Sequence, residues 1–251
     1  MTQTLQMIWH LVKREFQLRY AGSMLGFLWS LAVPLSQLLM LVFVFNKVIP
    51  LNIPNFPVFV FAAILPWSWF SSTLLASGEA FIGSRDLLRY PNFPPAAIIA
   101  VNSLSHLMTM FLSLPVLFGM LYWYDLEFPW LFLPALPLLI LVQAILIIGL
   151  SFIVATANVF YRDVSQITAI IVSLLFFLTP IWYTPQLKSE YGVLFQINPM
   201  SLIVQNYRMV LLEGRWLDWP SLMTAALIGA AFLTVGYLTY RHLQSDMIDA
   251  I

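Results

Sequence analysis

The side chains that could do chemistry in this 251-residue sequence are few and widely scattered. Its three histidines, His10, His106 and His242, stand far apart, and none belongs to an H-E-x-x-H run or a carboxylate–histidine cluster. Metal-assisted hydrolysis and general acid–base catalysis therefore lack a framework. No cysteine occurs, which excludes a disulfide scaffold, thiolate metal sites and a cysteine nucleophile. No G-x-x-x-x-G-K-[ST] loop is present, so nothing here is built to cradle a nucleoside triphosphate. What remains is a set of charged clusters: Lys13, Arg14 and Arg19; the run from Ser84 through Arg85, Asp86, Arg89 and Tyr90; and Arg162-Asp163. Arg162 and Asp163 read as a structural corner that caps or pairs across helix ends. His106 reads as a neutral, hydrogen-bonded packing residue.

The elements that must position these clusters are membrane-spanning helices. The chain is 61% apolar and 9% charged, where a soluble domain carries about 25% charged residues. Eleven basic and eleven acidic residues balance, so there is neither a basic surface for nucleic acid nor an acidic tail. Six stretches are long and apolar enough to cross about 30 Å of hydrocarbon: residues 24–45, 57–77, 96–124, 130–159, 164–183 and 219–240. Pro115 in the third and Pro134 and Pro137 early in the fourth are expected kink or entry points. The middle of every span lacks Asp, Glu, Lys and Arg. A charge there costs at least about 2.5–3.5 kcal/mol, and proton-driven pumps keep one for their function. Energy for work must come from elsewhere.

Ahead of the first span, residues 1–22 form an amphipathic helix. Leu5, Ile8, Trp9, Val12, Phe16 and Tyr20 share one arc, and Gln6, His10, Lys13, Arg14 and Gln17 the other, the pattern of a helix lying in the membrane interface. No short apolar core with a small-residue cleavage site marks a signal peptide. Lysine and arginine in the loops favour cytoplasmic termini. Lys13, Arg14, Arg19, Arg85, Arg89, Arg162 and Arg241 then lie inside, and Lys47, Lys188, Arg208 and Arg215 outside.

Two connections carry further structure. Ser84 is placed to cap a short helix with Asp86 in its first turn, Arg89 in its last and Pro91 as its stop. Such a rigid helix between spans can transmit a push from a partner domain. Between the fifth and sixth spans, Ile203, Tyr207, Val210 and Leu211 share a helical face opposite Gln205 and Arg208. Ser201 is the expected N-cap and Gly214 the C-terminal glycine. The expected helix lies on, or dips into, the outer surface, beside an aromatic belt of Trp182, Tyr183, Trp216 and Trp219. The expected fold is therefore an all-α integral membrane protein. It has six transmembrane helices, an amphipathic interface helix and short helices between spans five and six.

With these residues assembled, the chain resembles the permease subunits of ABC-2 type exporters. It is most similar to the branch that exports lipid-linked polysaccharides such as O antigens, capsules and teichoic acids. The resemblance rests on R-x-x-x-x-R-Y-x-x-S-x-L-G-x-x-W from Arg14 to Trp29, S-R-D-L-L-R-Y-P at Ser84–Pro91, F-Y-R-D at Phe160–Asp163, and N-P-M-S…Y-R from Asn198 to Arg208. A proline-rich run from Pro50 to Pro66 departs from the pattern.

The resemblance implies a homodimer in the bacterial inner membrane, bound to two cytoplasmic P-loop ATPase subunits. ATP and magnesium would sit on those partners, and this chain would bind no cofactor or metal. Lys13, Arg14, Ser84, Arg85, Asp86, Arg89 and Tyr90 would contact the ATPases. The first and fifth spans would line the conduit, with Trp29, Phe43, Phe176, Phe177, Trp182 and Tyr183 stacking on sugar rings. Residues 184–218 would close its periplasmic mouth. Arg14, Arg19 and Arg89 suit the lipid-phosphate end of the substrate. An ABC-2 exporter of drugs or small lipids, a membrane-embedded glycosyl or acyl transferase and a noncatalytic scaffold remain the alternatives.

Overall fold

The computed structural model describes residues 2–20, 28–51, 53–88, 93–185 and 192–250. Among these every regular element is helical: α1 (Thr2–Tyr20), α2 (Trp29–Phe43), α3 (Phe56–Ser77), α4 (Ala80–Gly83), α5 (Arg85–Leu88), α6 (Ala96–Trp123), α7 (Phe132–Phe160), α8 (Val164–Leu178), α9 (Gly192–Ile197), α10 (Pro199–Leu212) and α11 (Trp219–Ala250). A π-helical turn, Val44–Val48, continues α2. Four helices, α3, α6, α7 and α11, are long and apolar enough to cross a membrane. The start of the first expected span, residues 24–27, lies outside the described residues, and the fifth is shorter than expected. Fifteen residues of α8 rise only about 22 Å, because the helix stops at Leu178 and Thr179 turns extended. Conversely, α11 runs ten residues beyond Tyr240.

The centre of the bundle is α3, whose face from Val58 to Phe70 is almost wholly buried. Its polar groups are answered by neighbours. Trp69 Nε1 donates to the Ser103 carbonyl at 3.0 Å, and Asn102 Nδ2 donates to the Thr73 carbonyl and to Ser77 Oγ, both at 3.1 Å. The proline-rich run resolves into helix chemistry. Asn55 takes a left-handed conformation and Pro57 opens α3, where its missing N–H costs nothing. Pro66 lies inside the helix, and Gln143 Nε2 reaches across from α7 to its carbonyl at 2.7 Å.

The closest helix pair is α7 with α11. Cβ atoms added at Gly149 or Gly236 would run into the backbone of the opposing helix. Glycine there lets two backbones touch, and without a hydrophobic drive between helices in lipid that contact supplies the attraction. A second, smaller apolar cluster gathers Phe81, Ile98, Ile99, Phe152, Ala155, Tyr240 and Met247. It fastens α4 to the ends of α6, α7 and α11, with Phe81 stacked on Tyr240 at 5.8 Å between ring centres.

Candidate functional site

Most of the charge singled out in the sequence collects at one end of the bundle. There, α1 packs on α6 through buried Val12. Between α1, the end of α3, the α4–α5 pair and the start of α6 opens a cleft of about 570 Å³. Arg14, Glu15, Glu79, Ser84 and Asp86 line it. Two elements 70 residues apart in sequence are thus brought together, Arg14 with Ser84 and Asp86. Lys13 and Arg85 are exposed beside it. Asp86 sits in the first turn of α5, and the Ser84 carbonyl accepts from the Leu87 and Leu88 N–H groups at 3.0 and 3.2 Å. Arg19 falls on the last turn of α1, with its side chain outside the described residues. Arg89 and Tyr90 lie outside them altogether. Among the described residues that line it, Glu15, Glu79 and Asp86 stand with Arg14.

The corner between α7 and α8 is built differently from the sequence expectation. Arg162 and Asp163 are both exposed. Asp163 occupies the N-cap position of α8, yet its side chain makes no capping bond. Buried Asn158 does the joining. Its Nδ2 donates to the Gly78 carbonyl at 2.7 Å, and its Oδ1 accepts from Ser165 N–H and Oγ at 3.0 and 2.8 Å.

The opposite end carries an aromatic array. Phe45 stacks on Trp182 with centroids 4.7 Å apart and planes 8° from parallel. Trp182 meets Tyr183 edge-on at 4.8 Å, and Tyr183 meets Phe195 of α9 at 5.9 Å. Tyr183 OH donates to the Phe177 carbonyl at 2.9 Å. Phe176 touches Phe177 and Trp67. Four of the six expected conduit aromatics, Phe176, Phe177, Trp182 and Tyr183, therefore share one patch. Phe43 does not join them. It is 61% exposed, and Phe45, inside the π-helical turn, takes the place in the array. Trp29 is 55% exposed at the other end of α2. On α8 only Thr168 and Val172 are buried, leaving Ile167, Ile170, Ile171, Leu174 and Phe177 on an open apolar face.

Arg208 is the residue that sequence reasoning misplaced. The expected inner face of α10 holds, with Ile203, Tyr207, Val210 and Leu211 all buried. Arg208, expected on the outer side, is itself only 5% exposed. It donates to the carbonyls of Phe59 at 3.2 Å, Pro180 at 2.6 Å and Ile181 at 2.5 Å, and its guanidinium lies 3.5 Å over the Phe59 ring. Burial lowers its pKa to about 9, which still leaves it charged at neutral pH. The only signal in the sequence was an arginine inside an apolar helical run. The N-cap of α10 is also Asn198, accepting from Met200 N–H at 3.0 Å, rather than Ser201. Gly214 closes the helix with φ at 60°, and the Arg215 N–H reaches back to the Met209 carbonyl, as a C-terminal glycine allows.

The sequence profile of ABC-2 type transporters matches residues 6–212. The chain belongs to the ABC-2 type transporter family. Among curated proteins, this ABC-2 chain is 32% identical to the "O-antigen export system permease protein RfbA" of Myxococcus xanthus, over 96% of its own length and 94% of that protein. It is 27% identical to a Klebsiella pneumoniae protein of the same name, over 93% and 90% of the two chains. The family match takes in the α1 helix, the cleft, the Asn158 corner and α10.

Proposed function

We propose that this chain is the permease subunit of an ATP-driven exporter of lipid-linked, O-antigen-like polysaccharide. The observation that carries the reading is the near end-to-end similarity to an O-antigen export permease, in a chain without a nucleotide-binding loop. It sits in the bacterial inner membrane as a homodimer, with α2 and α8 serving as the first and fifth of six spans and both termini cytoplasmic. Their open apolar faces meet the second copy and the conduit. Trp29, Phe43 and Phe177 are exposed and can stack on sugar rings, while Phe176, Trp182 and Tyr183 brace the wall behind them.

Two separate P-loop ATPase subunits supply ATP and magnesium. They dock at this cleft, touching Lys13, Arg14, Ser84, Arg85, Asp86, Arg89 and Tyr90. Arg14, which lines the cleft, together with Arg19 and Arg89 meets the lipid-phosphate end of the substrate. The α9–α10 hairpin closes the periplasmic mouth.

The test is reconstitution of the chain with its ATPase in proteoliposomes. Lipid-linked O-polysaccharide is expected to raise ATP hydrolysis. Stimulation by small amphiphilic drugs, with none from the lipid-linked polymer, would contradict the reading.

A further inference from the structure

The geometry points to Asn158 as the positioning residue that passes movement of the α4–α5 element on to α8. One buried amide side chain ties together the end of α3, the end of α7 and the start of α8. Gly78 caps the end of α3, two residues ahead of α4, Asn158 lies in the last turn of α7, and Ser165 lies in the first turn of α8. Both lone pairs of the Asn158 Oδ1 and one of its two Nδ2 donors are used, in the three bonds to Gly78 and Ser165. The fit is also tight in space. A Cβ at Gly78 would strike Ser165 Oγ, so the turn leading into α4 bears directly on the start of α8.

The rest of the neighbourhood makes this joint the direct route. Phe81 anchors one face of α4 against Tyr240 and the second apolar cluster, which leaves the turn at Gly78 as the side of the element that bears on α8. Along its length α8 buries only Thr168 and Val172. A displacement arriving at the turn before α4 therefore reaches α8 through the Gly78–Asn158–Ser165 contact, a directional link that holds or breaks as a unit. This inference rests on the reading that α4–α5 meets an ATPase.

Because the chain has no cysteine, reporters can be placed singly. In the complete permease–ATPase complex, Leu174→Cys on the open face of α8 is labelled with a membrane-impermeant maleimide, in ADP and in ATP with vanadate. Arg85→Cys is cross-linked to the ATPase in parallel. With Asn158 intact, labelling at position 174 is expected to depend on nucleotide. In Asn158→Ala that dependence is expected to shrink about fivefold or more, while ATPase co-purification and hydrolysis stay within about twofold of the parent. Ser165→Ala removes one of the three bonds and is expected to show a smaller loss. It carries the test alone if Asn158→Ala fails to assemble. An undiminished nucleotide response in the variants, or one that falls only in step with hydrolysis, overturns the inference. Failure of Arg85→Cys to cross-link overturns the ATPase-contact reading, and the inference with it. Cross-linking together with an undiminished α8 response overturns the inference alone.

Discussion

The α7–α11 pair and α8 show two opposite ways of holding an apolar helix. The first is a seam. Gly149, Gly229 and Gly236 bring two long backbones into contact along one face, and dispersion over that length does the holding. The second is a rod fixed at its ends. Asn158 grips its first turn, and Arg208 takes the carbonyls just past its last turn, with two residues buried between. A seam resists sliding everywhere at once, whereas a rod held by two polar clamps can tilt or detach when one clamp shifts. The α7–α11 pair reads as frame and α8 as the part that moves against it.

Substitutions can break or sharpen that contrast. The largest effect is expected at the seam. Gly149→Leu must push two backbones apart, which exceeds the roughly 1–3 kcal/mol of ordinary overpacking. Loss of the monodisperse peak in detergent size-exclusion chromatography is the expected readout. Arg208→Ala comes next. Each buried carbonyl it deserts costs about 1–3 kcal/mol, and a clear fall in the thermal midpoint is expected. Arg208→Lys should recover only part of it, since an ammonium cannot reproduce the planar fork. Trp182→Ala should cost less, with stacking on Phe45 contributing about 1 kcal/mol beyond its area. The smallest change is expected on the open face of α8, where Ile170→Ala should leave the stability of the single chain within about 0.5 kcal/mol. A larger loss for Ile170→Ala than for Arg208→Ala would reverse the picture of a rod held at its ends.

Local pattern made the membrane class, the four long spans, the buried face of α10 and the glycine at its end readable from sequence. Those features depend on period and composition, which neighbours in the chain supply. Arg208 was not readable because its partners are distant, with Phe59 lying 149 residues away, and no spacing rule reports such a contact. The charge–aromatic corner at Phe160–Asp163 drew attention to the right turn but the wrong side chains. Asn158, two residues earlier, finds its partner 80 residues back at Gly78. That Phe45 rather than Phe43 stacks on Trp182 was not readable, because the π-helical turn changes the angular register that a regular helix would keep. The cleft was half legible: both charged elements stood out, but their meeting is a product of α1 packing on α6.

Spin-label distances in the assembled complex test the contrast most directly. One pair joins Ile170→Cys on α8 to Leu141→Cys on α7, and the other joins Leu141→Cys to Leu238→Cys on α11, all at exposed positions. Between ADP and ATP with vanadate, the α7–α8 distance is expected to change while the α7–α11 distance stays fixed. A shift in the α7–α11 distance with α8 stationary relative to α7 would contradict the account.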